Sequence, residues 1–589
     1  MLYLCFALLH CVYGRYAEPN PPVWPPSVYV FEPGDDATQS IIDKIFAENG
    51  GTNPTWNGQF SDSRYALLFK PGQYGVDVNV GYYTSVIGLG LRPTDVSIPN
   101  VMASNGDSNY TGGALDNFWR SAENFVTTPT KTQNGKNNTM LWAVSQGVSL
   151  RRIIVNGNLD LYEGQGYASG GYMSNSYVFG TIDSGSQQQW YTRNAYMQSW
   201  QGAHWNFLYQ GDSFVNAPNS VCANKTSLSM VIDSTPVIAE KPFITFDWGA
   251  NRYFLAIPPI EFNKVGPTDY NASLNKIPRV DFNNVYVTNP ATDTAASINA
   301  KIASGLHIIF TPGNYNLTEA IQVTQSNVCL VGIGYPTLMP MNGNPAIEVS
   351  DGVVGVRISS VLLQAGPQNS STLLQFGSTK GGSSNGYNFL YDIFGRVGGP
   401  NDPNVQQYMT DTMVQINMDN VVMDNSWLWR ADHDITGGYV YSGDNPVRTA
   451  LQVYGDNVVL YALKAEHTLG NIVEWYGNNG TCFFFQSEFP YDVTQSEYGD
   501  PGFNAFRVDE SVTLFQGYSL GMYSFFRDYA VTVENAMKAP LNVAGVNVSH
   551  AFTIWLNGQG EISHVIDDMG VAVNSQFADT PSAVCKLNQ

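Results

Sequence analysis

The sequence has few charged residues, few cysteines and no long apolar segment. Only 13% of its 589 residues are charged, about half of the usual share. The 49 acidic residues outnumber the 28 basic ones, so the net charge is −21. Nucleic-acid binding needs clustered Lys and Arg, and a negative field repels highly anionic polysaccharides. No stretch reaches the ~20 apolar residues of a membrane span. We therefore expect neither nucleic acid nor membrane among the partners.

What the sequence does contain favours ordered β-structure. Aromatic residues make up 13% of the chain and glycine occurs 56 times. Disordered chains combine high charge with few aromatics, so this chain is expected to fold. Abundant aromatic and uncharged polar side chains suit long stacked β-structure whose polar faces meet neutral ligands.

The first residues resemble an export signal. Residues 1–14 read MLYLCFALLHCVYG, an apolar run that ends in the small residue Gly14, after which we expect cleavage. A buried N-terminal strand is the alternative interpretation. Eight Asn-x-Ser/Thr acceptors agree with a secreted, extracellular protein. They are Asn109, Asn137, Asn224, Asn271, Asn316, Asn369, Asn479 and Asn547.

The cysteines allow disulfides but do not suggest a metal site. Loss of Cys5 and Cys11 with the signal leaves an even number, for which three disulfide pairings are open. The remaining cysteines are Cys222, Cys329, Cys482 and Cys585. Their spacing matches no zinc pattern, and the sequence has no HExxH, Walker A or G-x-S-x-G motif. We expect no metal and no cofactor.

Two parts of the chain resemble each other. VYVFEPGDDATQSIIDKI (Val28 to Ile45) is similar to VYVTNPATDTAASINAKI (Val285 to Ile302), and a P-G-x-Y turn follows each. Each copy opens with a helix-like stretch, and Asp293 or Thr294 is the candidate N-cap of the second. Such internal similarity indicates two copies of one module.

The spacing of short strands predicts a solenoid in each copy. Apolar runs recur every 20–30 residues or so between Asn, Gly and Asp, which is typical of stacked parallel coils. An ordinary β-sandwich is the alternative. We predict an all-β fold of two tandem parallel β-helices, each with a short N-terminal capping helix. The predicted modules are 15–235 and 285–589, with 236–284 as a connector.

Two glutamates are the strongest candidates for chemistry. Glu466 and Glu488 are 22 residues apart, about one coil, so their side chains would stack ~4.8 Å apart if both face outward. Like charges at that distance raise one pKa, and a carboxylic acid tuned in this way can protonate a leaving oxygen. Two unrelated surface glutamates are the alternative.

Residues around the pair suit a sugar. Flat aromatic side chains, represented by Trp475 and Tyr491, can stack on sugar rings, although core packing is the commoner use of such residues. Asp432 and His433 precede the pair and are expected to shape the cleft or join a polar network. A histidine here is otherwise a satisfied structural residue.

The first copy offers amides and tryptophans. Ser145 and Gln146 share one strand, and Gln188 and Gln189 follow about two coils later. A row of neutral amides can hold a water molecule or sugar hydroxyls, with a solvent-facing amide ladder as the alternative. Two tryptophans could form an aromatic wall; they are Trp190 and Trp205.

These segments together resemble glycoside hydrolase family 55, the β-1,3-glucanases built from two tandem right-handed β-helices. The similar segments run in the family's order from about Pro33 to Asp492. They are WAVSQGVSLRRIIVNG, GYASGGYMSNSYVFG, QQQWYTRN, WLWRADHD, YVYSG, LYALKAEHTLGN and FFQSEFPYD. The resemblance implies a right-handed, pectate-lyase-like coil and hydrolysis of β-1,3-glucan with inversion.

The resemblance also implies roles for individual residues. Glu488 would be the proton donor and Glu466 would line and tune its pocket. Three polar residues would hold the attacking water without a carboxylate base, and they are Ser145, Gln146 and Gln188. Substrate-binding positions would include Gln189, Trp190, Trp205, Asp432, His433, Trp475 and Tyr491.

The chain departs from the family at two places. The usual Thr-Glu-Thr is Ser487-Glu488-Phe489, and the usual Asn-Gln-Gln is Gln187-Gln188-Gln189. Stacked carboxylates ~5 Å apart also match the separation of retaining enzymes, yet residues stacked on one face need not flank a sugar ring. We therefore follow the family's inversion.

Two other functions stay open at this point. One is a non-catalytic glycan-binding wall protein, and the other is a polysaccharide lyase. A lyase needs basic residues near the glutamates, and the sequence shows no such cluster. The expected partner is a neutral polysaccharide or oligosaccharide, bound by a monomer.

Overall fold

The computed structural model describes residues 17–50, 58–104, 113–224, 227–270, 276–400, 402, 405–441, 443–578 and 580–586. The predicted signal at 1–14 lies outside the described residues, as do Asn109 and Asn271. Among the helices of these ranges, none combines the length and the hydropathy needed to cross a membrane.

Within its described residues, the first β-helix contains 21 strands. They are β1 (Val28–Phe31), β2 (Tyr65–Phe69), β3 (Gly72–Gln73), β4 (Asp77–Asn79), β5 (Thr84–Gly88), β6 (Val96–Ser97), β7 (Asn100–Met102), β8 (Arg120–Glu123), β9 (Val126–Thr127), β10 (Thr139–Leu141), β11 (Ser149–Arg151), β12 (Ile154–Val155), β13 (Asn158–Asp160), β14 (Gly171–Ser174), β15 (Tyr177–Asp183), β16 (Gln189–Arg193), β17 (Tyr196–Gln201), β18 (Asn206–Gln210), β19 (Ser213–Asn216), β20 (Val221–Asn224) and β21 (Ser227–Ile232). Ten of them form one sheet in the order β1-β2-β5-β8-β11-β14-β16-β18-β21-β20, in which only the last pair is antiparallel.

A short antiparallel segment joins the two β-helices. Its strands are β22 (Thr235–Ala239), β23 (Phe243–Asp247), β24 (Arg252–Ala256), β25 (Ile260–Lys264) and β26 (Arg279–Asp281). Strand β22 pairs with β25, and β24 pairs with both β23 and β26.

The second β-helix contains the remaining strands. They are β27 (Val285–Val287), β28 (His307–Phe310), β29 (Asn314–Leu317), β30 (Ile321–Val323), β31 (Cys329–Gly332), β32 (Thr337–Pro340), β33 (Ile347–Val349), β34 (Arg357–Gln364), β35 (Ser370–Phe376), β36 (Asn388–Val397), β37 (Thr410–Ile416), β38 (Val421–Arg430), β39 (Val447–Val453), β40 (Val459–Glu466), β41 (Val473–Trp475), β42 (Gly480–Glu488), β43 (Phe506–Val508), β44 (Phe515–Ser524), β45 (Thr532–Lys538), β46 (Val546–Trp555), β47 (Glu561–Ile566) and β48 (Ser582–Lys586). One sheet of 13 strands runs through β27-β28-β31-β34-β36-β38-β40-β42-β44-β46-β48, and one of nine strands runs from β30 to β47. The prediction of two tandem parallel β-helices is therefore confirmed, and the β-sandwich alternative is wrong.

One helix lies near the start of each copy. Helix α1 spans Thr38–Asn49 and helix α2 spans Ala295–Ala303. Of the two candidate N-caps, Thr294 fills the role, because its side chain accepts a hydrogen bond from the Ser297 N–H. Helix α2 buries Ile298 and Ile302 against its β-helix.

The duplicated P-G-x-Y turns have the same conformation. Gly72 and Gly313 have φ angles of 151° and 154°. A Cβ on Gly72 would lie 2.1 Å from Pro33 Cγ, and one on Gly313 would lie 2.4 Å from Pro290 Cγ. Only glycine fits at these two positions, since both the backbone angle and the proline ring exclude a side chain.

The ten-stranded and 13-stranded sheets face each other. Along β2, Leu67 points into the interior of the first β-helix, whereas Ala66 and Leu68 pack against the second half together with Ile309 and Val331. Both faces of these sheets are buried, which explains their nearly continuous apolar strands. The interface between the two β-helices is thus a second core.

A buried network of charges crosses this interface. Arg151 on β11 donates hydrogen bonds to Asp392 on β36 and to Asp424 on β38, both at 2.8 Å. Arg193 on β16 binds Asp424 and Glu240, each at 2.9 Å. These side chains are at most 4% exposed. Such pairs are strongly directional, so they fix how one β-helix sits against the other.

A disulfide joins the last coils of the two halves. Cys222 on β20 is bonded to Cys585 on β48, with Cα atoms 5.6 Å apart. Cys329 and Cys482 are buried free thiols. The structure therefore forms one disulfide and leaves Cys329 and Cys482 as free thiols, so none of the three two-disulfide pairings is complete.

Candidate active site

The two glutamates stack on neighbouring strands, as the 22-residue spacing predicts. Glu466 ends β40 and Glu488 ends β42, and the two are paired in register. Trp429 on β38 precedes them in the same row and Tyr523 on β44 follows. This row belongs to the sheet that faces the first β-helix.

A cavity of about 540 Å³ opens between the two facing sheets at this row. The first β-helix supplies Leu115, Asp116, Phe118, Gln146, Tyr167, Ser169, Gln188 and Trp205. The second supplies Trp427, Trp429, Asp432, His433, Gly437, Tyr439, Glu466, His467, Glu488, Tyr491, Phe525, Leu556 and Asn557. The cavity is a concave, largely aromatic site with convergent polar groups, which is the usual character of a small-molecule site.

Glu466 is buried and fully hydrogen-bonded. Its Oε1 accepts from the side-chain amides of Gln146, at 2.9 Å, and of Gln486, while its Oε2 accepts from Trp427 Nε1 at 2.8 Å. Burial raises the pKa of Glu466, and the donors oppose that rise. Because Gln146 belongs to the other β-helix, this carboxylate joins the two halves of the site.

Glu488 is partly exposed to the cavity and has one hydrogen-bond donor, the Tyr491 hydroxyl. Burial, followed by the negative charge of Glu466, raises the pKa of Glu488 to about 8. Glu466 accepts from three N–H donors and Glu488 from none, so Glu488 is the better placed of the two to hold a proton. At neutral pH Glu488 is therefore a carboxylic acid facing the cavity.

Asp432 and His433 form an ion pair on one wall. Nδ1 of His433 lies 3.3 Å from Asp432 Oδ1, and its Nε2 lies 2.7 Å from the side-chain amide of Gln59. Burial opposes ionisation of Asp432, but the adjacent His433 outweighs it and holds the pKa of Asp432 well below its usual range. Burial raises the pKa of Asp116, on the facing wall, to about 6. His433 offsets the charge of Asp432, yet the Asp432 carboxylate still adds, after burial and Glu466, to the raised pKa of Glu488.

Aromatic side chains enclose the cavity. Trp427 and Trp429 stack on each other with ring centroids 4.7 Å apart, and Phe118 lies 4.6 Å from Trp427. Trp205 packs on Tyr523 at 5.6 Å. These rings are 1–6% exposed and pack on one another, so they form a rigid apolar wall around the cavity.

The cavity brings together eight of the twelve residues predicted from the sequence. They are Gln146, Gln188, Trp205, Asp432, His433, Glu466, Glu488 and Tyr491. The prediction placed acid and amides at one site, and the described geometry agrees with that arrangement.

The other four predicted residues do not line the cavity. Trp190 and Trp475 are 1% and 0% exposed and lie in the hydrophobic cores of the first and second β-helix, so their prediction as substrate-binding residues is wrong. Ser145 is also wrong as a water ligand, because its buried hydroxyl donates to the Ala114 carbonyl and accepts from the Ser169 N–H. Gln189 is buried behind Ser169 and donates to its hydroxyl at 2.8 Å.

Sequence reasoning missed several lining residues. Trp427 and Trp429 could have been predicted from the sequence. They lie two residues apart on one strand, and Trp429 is in register with Glu466. Asp116, Tyr167 and Phe525 lie outside the strands, and no spacing rule identifies them.

One group of possible metal ligands occurs in the part of the chain that the structure describes. Glu534, His564 and Asp568 can bring one ligand atom each within 4.8 Å of one another. They lie on β45, on β47 and just after it, and none lines the cavity. They add nothing to the chemistry of this site.

Comparison with known proteins gives consistent results. The family model described as the LAM55 pectate lyase-like domain matches residues 285–488. An exo-beta-1,3-glucanase from Streptomyces sp. (strain SirexAA-E / ActE) is 35% identical over 559 residues, which cover 92% of this chain and 86% of that protein. The structure of sacteLam55A from Streptomyces sp. SirexAA-E matches with a TM-score of 0.87 and 34% identity, over 96% of this chain and 98% of the other. A variant of sacteLam55A in complex with glucose matches with a TM-score of 0.86 and 32% identity, over 97% of this chain and 100% of the other.

Proposed function

The chain belongs to glycoside hydrolase family 55, and from this premise we propose that it hydrolyses β-1,3-glucan with inversion, using Glu488 as general acid. The observation that carries the proposal is the hydrogen bond between Gln146 of the first β-helix and Glu466 of the second. Glu488 faces a cavity in which its neighbour Glu466 is bound by Gln146 of the other β-helix.

The proposed reaction begins with protonated Glu488. It donates its proton to the glycosidic oxygen as the bond from that oxygen to the anomeric carbon breaks. Positive charge develops on the sugar ring, and the ionised groups Glu466 and Asp432 stabilise it. This explains why the site holds more carboxylates than proton transfer requires.

A water molecule completes the reaction from the opposite face of the sugar. Gln146 donates through Nε2 to Glu466, and in this proposal its carbonyl oxygen and Gln188 orient the water. The water oxygen bonds to the anomeric carbon and releases a proton to solvent, and Glu488 regains a proton from solvent. Because the glycosidic bond is largely broken at that stage, the water needs orientation more than a strong base.

The test is digestion of laminarin followed by ¹H NMR from the first minutes. We expect glucose or short oligosaccharides whose new reducing ends are first in the α configuration, since a β linkage is inverted. Inactivity on laminarin and other neutral β-glucans would refute the hydrolase proposal, and β products appearing first would refute inversion. A parallel digestion of uronate-containing polysaccharides tests the lyase alternative, which would release unsaturated uronate products detectable by ultraviolet absorbance.

The pH profile provides a second test. Only protonated Glu488 can donate a proton, so kcat/KM on laminarin should fall as pH rises through about 8. Glu466→Gln removes the negative charge beside Glu488, which lowers the pKa of Glu488 and moves this limb downward by at least about one pH unit. Glu534→Gln, at an exposed position, is the matched control and should leave the limb in place. If kcat/KM of Glu466→Gln falls at the same pH as that of the wild-type protein, the proposed effect of Glu466 on the pKa of Glu488 is wrong.

We also propose that the protein is secreted. The disulfide between Cys222 and Cys585 supports this, because disulfides persist in oxidising compartments. Thiol titration of the denatured, exported protein should detect two thiols before reduction, those of Cys329 and Cys482, and four after it. Four thiols before reduction would argue against export into an oxidising compartment.

A further inference from the structure

A second cavity, of about 330 Å³, lies between the two β-helices. Arg64, directly before β2, lines it from the first β-helix, and Arg396 on β36 lines it from the second. Along the 13-stranded sheet, Arg396 is paired with Trp429, and Trp429 is paired with Glu466. The second cavity is therefore two strands before the catalytic carboxylate, and it shares no lining residue with the first cavity.

One tyrosine ring holds both arginines. The guanidinium carbon of Arg64 lies 4.3 Å from the centroid of the Tyr83 ring, and Nη1 of Arg396 donates to the hydroxyl of the same ring at 2.5 Å. Nε of Arg64 donates to the Thr337 hydroxyl at 2.9 Å, and Nε of Arg396 donates to Gln364 Oε1 at 2.5 Å. Two guanidinium groups, one from each half of the protein, are thus fixed close together.

The charge of these two side chains is not neutralised within the described part of the chain. Arg64 and Arg396 are 4% and 1% exposed, and their hydrogen bonds to described residues all go to uncharged acceptors. Burial lowers the pKa of Arg64 to about 10, and the nearby charge of Arg396 acts in the same direction. Buried charges without a counter-charge are costly, so a bound anion would stabilise this arrangement.

Two carboxylates also line the second cavity, but they lie toward solvent. Asp62 and Asp402 are both exposed, and Asp62 Oδ1 accepts a hydrogen bond from Asn314 Nδ2 at 2.8 Å. Water screens exposed charges much more strongly than buried ones. The buried floor of the cavity is therefore positive, although the chain as a whole carries a net charge of −21.

We propose that the second cavity binds a small oxyanion, a phosphate or a carboxylate group, between Arg64 and Arg396. The planar guanidinium group presents N–H donors in a fork that matches the oxygens of both groups. A volume of about 330 Å³ is at the lower end of the range for small-molecule sites, so the anion can carry a small organic body. Because each β-helix supplies one arginine, the bound anion stabilises the contact between them. The proposal does not depend on the hydrolase function.

The test is calorimetric titration of the full chain with inorganic phosphate and, separately, with citrate, at an ionic strength kept constant with chloride. We expect saturable binding of one equivalent, and the probe that binds identifies the group that the site prefers. Arg64→Met and Arg396→Met should each raise Kd at least about 10-fold, the value of a charge-assisted hydrogen bond. Arg64→Lys, which keeps the charge but loses the fork, should raise Kd less than Arg64→Met.

Thermal unfolding provides a second measurement and shows that each variant is folded. The binding anion should raise the midpoint of the wild-type protein above its value in chloride, and it should raise that of Arg64→Met less. The matched control is Arg252→Met, whose arginine pairs with Asp281 at a partly exposed position and does not line the cavity. The proposal would be overturned if neither probe bound saturably, if Arg64→Met bound as tightly as the wild-type protein, or if Arg252→Met lost affinity equally.

Discussion

Replacement of Glu488 by Gln is expected to lower kcat on laminarin by about 10²- to 10⁴-fold, with KM little changed. Glutamine keeps the shape and still accepts the Tyr491 hydroxyl, but it has no acidic proton to donate to the leaving oxygen. The loss therefore falls on the chemical step rather than on binding. Initial rates of reducing-sugar release at several laminarin concentrations separate kcat from KM.

The control for this variant is Glu534→Gln, which replaces a glutamate that is 65% exposed and does not line the cavity. It should retain full activity. A Glu488→Gln protein that keeps more than about a tenth of wild-type kcat would be incompatible with general acid catalysis by this residue.

The second large effect is expected from Arg151→Met in the charge network between the two β-helices. This change removes the bidentate partner of Asp392 and one of the two arginines that bind Asp424, and breaking a buried pair in this way costs about 3–5 kcal/mol. We expect a lower midpoint of denaturant unfolding and reduced activity, because Asp424 lies on β38, the strand that carries Trp427 and Trp429 into the cavity.

Denaturant titration monitored by tryptophan fluorescence measures this effect. Lys131→Met is the comparison, since its pair with Asp77 is about 40% exposed on both sides and solvent screens it. Its midpoint should move much less than that of Arg151→Met. Equal shifts in the two variants would show that the buried network does not hold the halves together.

The repeat and the coil length made the large features of this protein predictable. In a parallel coil, residues one turn apart are in register, so the 22-residue spacing alone was enough to stack Glu466 on Glu488. The convergence of Gln146 on Glu466 was not available from spacing. It came from the family resemblance, since the contact depends on how two separate coils pack.

If side chains alternated strictly between the two faces of β40, Glu466 would point into the interior of the second β-helix rather than into the cavity. Leu460 and Leu463 both point into the interior of the second β-helix, three residues apart, because Ala462 between them has a left-handed φ of 54°. Phe484 has the same conformation on the next coil, with φ of 66°. This bend reverses the alternation, and it turns Glu466 outward into the cavity.

The predictions of Trp190 and Trp475 as substrate-binding residues were wrong for a related reason. A parallel coil has several sheets, and sequence proximity does not say which sheet a strand joins or which face a ring occupies. Trp475 lies on β41 in the nine-stranded sheet and points inward, although it lies between the two glutamates in sequence. Trp190 lies on the correct sheet but on its inner face.

The most direct measurement is a crystal structure of the Glu488→Gln protein with a β-1,3-linked glucose oligosaccharide. We expect a glycosidic oxygen about 2.6–3.2 Å from the side chain at position 488. We also expect Gln146 and Gln188 to contact the opposite side of the adjoining sugar. An oligosaccharide bound away from this cavity, or one that presents no glycosidic oxygen to position 488, would contradict the proposed mechanism.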